Sequence, residues 1–146
     1  MQKPITIVID FDGTVVTHDF PNIGQSIGAE PVLKKLVENG HKLILFTMRS
    51  DVESPVSDDP AIIPKPGNYL TDAVNWFKER DIPLYGTQTN PTQKNWTSSP
   101  KAYGELIIDD AALGAPLYSS LPGVTERPFI NWDKVEKMLI SMGLIK

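Results

Sequence analysis

The feature that most constrains the fold is a short apolar run that ends in two carboxylates. Residues 6–9, Thr-Ile-Val-Ile, are all β-branched, which is typical of a strand buried in a parallel sheet. Asp10 and Asp12 follow at once, and Gly13 permits a turn. In open parallel sheets, ligands bind at the carboxyl ends of the strands. The run therefore predicts a functional site directly after the first strand.

The apolar spacing after this run alternates between helical and strand patterns. Helices are predicted over residues 31–40 and 69–80, and strands over residues 42–47, 84–87 and 105–110. Short links between strand, helix and strand imply right-handed parallel crossovers. We therefore expect one α/β domain over residues 1–146, a Rossmann-like three-layer sandwich with a mainly parallel central sheet.

Two irregular stretches interrupt the pattern. Residues 13–28 mix proline, glycine and polar residues, and predict a flap over the end of the first strand. Residues 49–67 are rich in proline and predict a long loop, a candidate substrate lid. Towards the end of the chain we predict a helical turn over 111–120, a strand over 128–130, and a helix with Val135, Met138, Leu139 and Met142 on one face.

The composition narrows the classes of function. Hydrophobic residues at 40% and charged residues at 22% are typical of globular domains. A formal net charge of -4 argues against nonspecific nucleic-acid binding, and the absence of cysteine excludes disulfides and thiolate metal sites. No apolar run reaches the roughly 18 residues of a membrane span. We expect no membrane partner and a cytoplasmic location.

Polar side chains also follow later predicted strands. Thr47 ends the second strand, and Asp109 and Asp110 end the strand over 105–110. In a parallel sheet these ends lie at the same edge as the first carboxylate pair. Four carboxylates repel one another unless a cation neutralises them, and an oxygen-only set suits Mg²⁺. A metal beside a nucleophilic aspartate suits phosphoryl transfer.

These residues carry a resemblance to a known family. The stretch Asp-Phe-Asp-Gly-Thr over residues 10–14 matches the first motif of the haloacid dehalogenase (HAD) superfamily of phosphohydrolases. Thr47 matches the second motif, and Asp109 with Asp110 matches one form of the fourth, the acidic pair that holds Mg²⁺. The chain resembles this family over about residues 5–110, which implies a HAD-like fold. It leaves open which member of the acidic pair binds the metal directly.

The resemblance also implies a role for each motif residue. Asp10 is the nucleophile and a metal ligand, and Asp12 is the general acid/base, which also lends its backbone carbonyl to the metal. Thr47 binds the transferring phosphoryl group. Lys101 is the phosphate-binding lysine of the third motif, although Lys94 lies in the same polar segment and is the alternative.

The implied activity is that of a Mg²⁺-dependent phosphatase that hydrolyses a small-molecule phosphomonoester through an aspartyl-phosphate. The closeness of the lysine to the acidic pair resembles the family's 5'(3')-deoxyribonucleotidases, which makes nucleotides candidate substrates. The intervals between motifs leave no room for a large cap, so the form is capless or minimally capped, and closure of the site in a homo-oligomer is compatible with it. Arg49 is a predicted substrate contact because a guanidinium binds anions bidentately. Further candidate contacts are His18, Asp19, Ser50 and Trp96.

Three other functions use related residues. Receiver-like signalling domains combine a phosphorylatable aspartate with an acidic pair, a threonine and a lysine, but they place the acidic pair after the first strand and the nucleophile after the third. A phosphomutase on the HAD scaffold would need a larger cap to hold its intermediate. Family dehalogenases lack the second aspartate of the first motif, so Asp12 disfavours that activity.

Overall fold

A four-stranded parallel sheet forms the centre of the protein, of which a computed structural model describes residues 3–53, 65–118 and 127–146. In spatial order its strands are β5 (Gly86–Thr87), β2 (Lys42–Leu45), β1 (Thr6–Ile9) and β6 (Leu106–Ile108). The order of β-strands and helices along the chain confirms the predicted Rossmann-like α/β fold with its parallel central sheet.

The register of the sheet brings three strand ends together. Ile9, the last residue of β1, pairs with Leu45 of β2 on one side and with Ile108 of β6 on the other. The three strands therefore end at the same level, and the residues that follow them share one edge of the sheet.

Three helices cover one face of this sheet. They are α1 (Ala29–Glu38), α2 (Tyr69–Glu79) and α3 (Trp132–Ser141). Their buried residues form a single hydrophobic cluster with alternate strand residues such as Ile7, Ile9, Leu43 and Leu45. The first two helices lie within two residues of their predicted bounds; α1 begins earlier than Pro31 because Gly28, with φ 94°, provides the turn before it.

The other face of the sheet has a different cover. Val8 and Ile44 point to this side and pack against Ala102 and Tyr85. The segment that joins β5 to β6 crosses this face, and its only regular element is a short 3₁₀ helix at Gln93–Asn95. The sheet thus lies between a helical layer and a layer of largely irregular chain.

The C-terminal part departs from the prediction in two places. Within 111–118 the chain forms turns and the strand β7 (Leu117–Tyr118) instead of a helical turn, because Gly114, with φ 88°, and Pro116 prevent helix formation. β7 pairs antiparallel with β8 (Phe129–Ile130), so the predicted last strand lies outside the central sheet. In α3, Val135 and Leu139 are buried as predicted, whereas Met138 is 50% exposed and Met142 follows the helix.

The predicted loop over residues 49–67 is described only at its ends, since residues 54–64 lie outside the described part of the chain. At those ends β3 (Asp51–Val52) pairs antiparallel with β4 (Gly67–Asn68). Among the described helices, none has the length and apolar character needed to cross a bilayer.

Candidate functional site

A cavity of about 600 Å³ opens at the carboxyl ends of β1, β2 and β6. It lies where the sequence predicts a site. Its charged and polar lining consists of Asp10, Asp12, His18, Thr47, Arg49, Ser50, Tyr69, Asp109, Asp110 and Arg127. Of the further predicted substrate contacts, His18 and Ser50 line this cavity, whereas Asp19 and Trp96 do not.

Three carboxylates converge inside the cavity. Asp10, Asp109 and Asp110 each offer one oxygen, and these oxygens all lie within 4.8 Å of one another. Asp10 follows β1 and the other two follow β6, so the parallel register brings together residues about a hundred positions apart. An all-oxygen, strongly anionic donor set fits a hard divalent cation such as Mg²⁺. Asp12 contributes no side-chain oxygen to this group.

Two neighbouring side chains orient the carboxylate cluster. The Thr14 hydroxyl lies 2.8 Å from Oδ2 of Asp10 and 3.2 Å from Oδ1 of Asp110, and it accepts the backbone N–H of Asp110 at 3.0 Å. His18 Nε2 lies 2.8 Å from Oδ2 of Asp110. Thr14 is fully buried, and its contacts fix the Asp10 and Asp110 carboxylates relative to each other.

The environment of Asp10 disfavours its charge. Burial raises the pKa of Asp10 to about 8, and the nearby Asp110 and Asp109 act in the same direction. Hydrogen bonds from Thr14 and from the backbone of Phe11 lower this pKa but do not outweigh burial. In the absence of a cation, burial therefore favours the protonated form of Asp10. A bound divalent cation would reverse this preference, because it stabilises the ionised carboxylate.

Asp12 has a different environment from Asp10. Arg49 Nε donates to Oδ2 of Asp12 at 2.8 Å, and Nη2 donates to Oδ1 at 2.7 Å, which makes a bidentate ion pair. The Arg49 side chain is 1% exposed and that of Asp12 is 19% exposed, so water screens the pair weakly. Both carboxylate oxygens of the predicted acid/base are thus held by one guanidinium.

The remaining donors of Arg49 also have partners in the protein. Nη2 donates to the carbonyl of Asn22 at 2.7 Å, and Nη1 donates to the carbonyls of Tyr69 at 3.2 Å and Pro21 at 3.5 Å. A guanidinium has five N–H groups. These three contacts, together with the two hydrogen bonds to Asp12, use all five. Arg49 lines the cavity as predicted, but in this structure it joins β1, the flap and α2 and offers no spare donor to a substrate.

Thr47 follows β2, as predicted, and the side chain of Gln88 fixes its backbone. Gln88 Oε1 accepts the Thr47 N–H at 2.8 Å, while Nε2 donates to the carbonyls of Thr47 at 2.7 Å and Arg49 at 3.2 Å. Gln88 follows β5 and has φ 66°. The Thr47 hydroxyl accepts the backbone N–H of Arg49 at 3.2 Å, which leaves its hydrogen for another acceptor.

The cationic side chains that line the acidic cavity do not include the predicted lysine. Lys101 does not line the acidic cavity; it lines a separate cavity of about 340 Å³ together with Trp96 and Tyr103. The alternative, Lys94, also does not line the acidic cavity. Arg127, two residues before β8, does. The eight-residue spacing from Asp109 placed Lys101 close along the chain, but its segment runs over the sheet face opposite the helices.

The loop that carries the carboxylates is anchored by the C-terminal elements. Trp132 Nε1 donates to the carbonyl of Thr14 at 2.7 Å, and the Ile130 N–H donates to the carbonyl of Gly13 at 3.0 Å. Gly13 has φ 82°, and a Cβ there would lie 2.0 Å from Nε2 of His18. A residue with a Cβ would be strained by the positive φ and would collide with His18, so only glycine fits this position.

Sequence reasoning did not identify four residues that shape the site. Thr14 belongs to the first motif and could have been assigned from its position four residues after Asp10. Gln88, Arg127 and Trp132 gave no local signal, because each acts through a contact with a distant part of the chain.

The comparisons with known proteins support the fold. No family model matches the chain, and no curated protein matches it. The chain is similar to a conserved protein from Bacteroides thetaiotaomicron of known structure, with a TM-score of 0.67 and 27% sequence identity. The likeness covers 96% of this chain and 93% of that protein, so the two share the α/β architecture over nearly their whole length.

Proposed function

We propose that this protein is a HAD-type, Mg²⁺-dependent phosphomonoester hydrolase that acts through an aspartyl-phosphate on Asp10. The observation that carries the proposal is the convergence of Asp10, Asp109 and Asp110 on one point of a cavity that Thr47 and Arg127 also line. An acidic cluster alone is not diagnostic. Its position after the Asp-x-Asp-Gly-Thr motif, opposite a threonine from the adjacent strand, favours phosphoryl transfer over simple cation storage.

The three carboxylates of the cluster would hold the metal. When bound, Mg²⁺ would neutralise the cluster and the oxygens of a phosphoryl group, and keep Asp10 ionised for attack. Thr14 and His18 hold Asp110 in place, so the ligand geometry is largely set before a cation arrives. Orientation of ligands by neighbouring groups typically contributes 10- to 100-fold to metal affinity.

Asp10 would attack phosphorus and expel the alcohol of the ester, and water would then attack the same phosphorus and release Asp10. The Thr47 hydroxyl would donate to a phosphoryl oxygen, since its own acceptor position is already used by the Arg49 N–H. Arg127, which also lines the cavity, would supply positive charge. Each preorganised donor of this kind contributes on the order of 10²-fold to the rate.

Asp12 would give a proton to the leaving alcohol and take one from water. In the structure both of its oxygens accept from Arg49, so this role requires the ion pair to open at one oxygen during the cycle. The same pair favours a second candidate function, a receiver-like domain, because a carboxylate held by Arg49 would assist hydrolysis poorly and a phosphorylated Asp10 would persist.

The test is hydrolysis of p-nitrophenyl phosphate with and without Mg²⁺. Wild type should be active only with the divalent ion, and Asp10→Asn should lower the rate by at least about 10³-fold, because the amide is a poor nucleophile. Asp81→Asn is the matched control: Asp81 is exposed and has φ 56°, a conformation that asparagine tolerates.

Two outcomes would count against the proposal. Activity that survives Asp10→Asn, or that needs no divalent ion, would exclude the mechanism. A stoichiometric phosphorylated protein that is stable for hours in Mg²⁺ would instead support the receiver-like function.

A further inference from the structure

Two adjoining cavities lie on the sheet face opposite the helices and share an aromatic wall. One, of about 340 Å³, contains Lys101, and the other, of about 560 Å³, contains Lys42 and Tyr85. Trp96 and Tyr103 line both cavities. We call Lys42, Trp96, Lys101 and Tyr103 the aromatic-basic patch. None of its members lines the acidic cavity.

The aromatic side chains of the patch are exposed to solvent. Trp96 is 63% exposed and Tyr103 is 45% exposed, and their rings meet edge to face with centroids 5.4 Å apart. The other two tryptophans, Trp76 and Trp132, are 3% and 2% exposed. An indole left this exposed beside a second ring is a ready surface for stacking a planar ligand.

The backbone that carries the patch is held by a buried glutamine. Gln93 Nε2 donates to the carbonyls of Ser99 at 2.9 Å and Lys101 at 2.8 Å, and Oε1 accepts the Tyr103 N–H at 2.7 Å. One side chain thus ties the segment on both sides of Lys101 to the 3₁₀ helix before Trp96. The patch is therefore preorganised, which lowers the entropy cost of binding.

The charge of the patch is positive. Among residues 3–53, 65–118 and 127–146, no aspartate or glutamate lines either cavity. Lys42 Nζ lies 4.5 Å from the centroid of the Tyr85 ring. The carboxylate of the neighbouring Glu105, which accepts the backbone N–H of Thr6 at 2.6 Å, adds one negative charge beside the two lysines, so the patch keeps a net positive charge. Each cavity thus combines a lysine with a stacking surface.

We propose that the aromatic-basic patch binds single-stranded nucleic acid, with bases stacked on Trp96 and Tyr103 and backbone phosphates beside Lys42 and Lys101. Every base has a π-face, so stacking of this kind tolerates any sequence. Two cavities with one lysine each match a ligand that repeats base and phosphate, which a strand provides and a mononucleotide does not. The overall charge of -4 argues against a broad basic surface, so any nucleic-acid binding is confined to this local patch and its affinity is modest. This binding does not depend on the proposed phosphatase activity.

The test is titration with a ten-residue oligothymidylate that has hydroxyl groups at both ends and hence no terminal phosphate for the acidic cavity. Because Trp96 is the exposed tryptophan, its fluorescence should be quenched as the oligonucleotide binds. Neutralising two phosphates predicts a slope of log K against log salt of about -1.4, at about -0.7 for each phosphate on a single strand.

Variants identify the residues involved. Trp96→Ala should weaken binding of a fluorescein-labelled oligonucleotide, measured by anisotropy, by roughly 5- to 100-fold. Lys42→Gln should make the salt slope shallower by about 0.7. Lys137→Gln is the matched control, because Lys137 lies on α3 and lines neither cavity, and it should leave the slope unchanged.

Four results would overturn the proposal. The first is no quenching at saturating oligonucleotide, and the second is equal affinity for thymidine monophosphate and the strand. The third is oligonucleotide binding that Trp96→Ala leaves intact. Self-association of the protein that buries Trp96, seen as concentration-dependent quenching and a dimer in sedimentation, would also replace the nucleic acid by a second copy of the chain.

Discussion

Arg49 binds Asp12 through two parallel hydrogen bonds, 2.8 Å from Nε to Oδ2 and 2.7 Å from Nη2 to Oδ1. Rings from two elements flank the same guanidinium, with its carbon 5.1 Å from the centroids of both Phe11 and Phe20. Asp12 follows β1 and Phe20 belongs to the flap. The pair is therefore a structural junction as well as part of the candidate site.

The main effect of replacing Arg49 should be a lower free energy of unfolding rather than weaker substrate binding. Arg49→Ala leaves the Asp12 carboxylate and the carbonyls of Asn22 and Tyr69 without their donor, and removing one partner of a poorly solvated ion pair typically costs about 3 kcal/mol. Urea unfolding measures the loss. Arg49→Lys should recover only part of it, since an ammonium cannot form the bidentate pair.

The control for Arg49 is an exposed ion pair. Lys35→Ala removes the 3.1 Å contact of Lys35 with Glu136 and should change the free energy of unfolding by less than about 1 kcal/mol. If Arg49→Ala were as stable as wild type and raised only KM, Arg49 would be the substrate contact that its position after Thr47 predicts.

The raised pKa of Asp10 predicts how stability depends on pH when no metal is bound. The native state keeps the Asp10 proton up to about pH 8, whereas the unfolded chain releases it near the ordinary value of 3.8. The native state binds more protons in this window, so Asp10 makes the free energy of unfolding fall as pH rises from about 4 to about 8. Asp10→Asn should remove this contribution.

The measurement is urea unfolding of both proteins at pH 5 and pH 8 with a chelator present. The difference between wild type and Asp10→Asn isolates the contribution of Asp10 from that of the other ionisable groups. Mg²⁺ should stabilise wild type more at pH 8 than at pH 5, because the cation competes with the proton. A difference between the two proteins that is independent of pH would contradict the assigned shift.

Gly13 and Gly114 allow the cost of backbone strain to be distinguished from the cost of steric crowding. Gly13 has φ 82°, and an added Cβ would lie 2.0 Å from Nε2 of His18 and 2.6 Å from Oδ2 of Asp110. Gly114 has φ 88°, and no atom of the described part of the chain lies within 4 Å of an added Cβ. Gly114→Ala should cost only the strain, about 1 kcal/mol, while Gly13→Ala should cost several times more and abolish the proposed phosphatase activity.

Thermal unfolding and phosphate release measure both effects. Equal losses of stability in Gly13→Ala and Gly114→Ala would mean that His18 and Asp110 move aside without cost.

The cation that serves the phosphoryl group can be identified by comparing three variants. Arg127→Ala should lower kcat/KM on the order of 10²-fold, because Arg127 lines the acidic cavity. Lys94→Ala is the control and should have little effect. If Lys101→Ala has the larger effect and Arg127→Ala the smaller, the lysine assigned from the sequence is the functional cation and its side chain reaches the cavity during the reaction.

The parts of the fold that depend on local pattern were predictable. Residues 6–9 form a buried strand because they are β-branched and apolar, and α2 occupies its predicted span because its apolar residues have helical spacing. The pairing of β7 with β8 was not predictable in this way. Two strands of two residues each have no periodicity to detect, and their partner is set by tertiary contacts.

The candidate site was likewise predictable only where it depends on local pattern. Asp10, Thr47 and Asp109 lie at one edge because parallel strands require it, and the sequence shows where each strand ends. The exclusion of Lys101 from the cavity and the pairing of Arg49 with Asp12 depend on the path of long loops and on side-chain direction. Neither property leaves a periodic trace in a single sequence.

The hydrogen bonds from Trp132 and Ile130 to the loop at Gly13 and Thr14 have a consequence for synthesis on the ribosome. The Asp-x-Asp-Gly-Thr motif is synthesised more than a hundred residues before the residues that anchor it. A nascent chain stalled before β8 has all three cluster aspartates and lacks the anchor. We expect such a chain to bind divalent cations weakly, so that a tight cation site would form only after β8 and Trp132 have been synthesised.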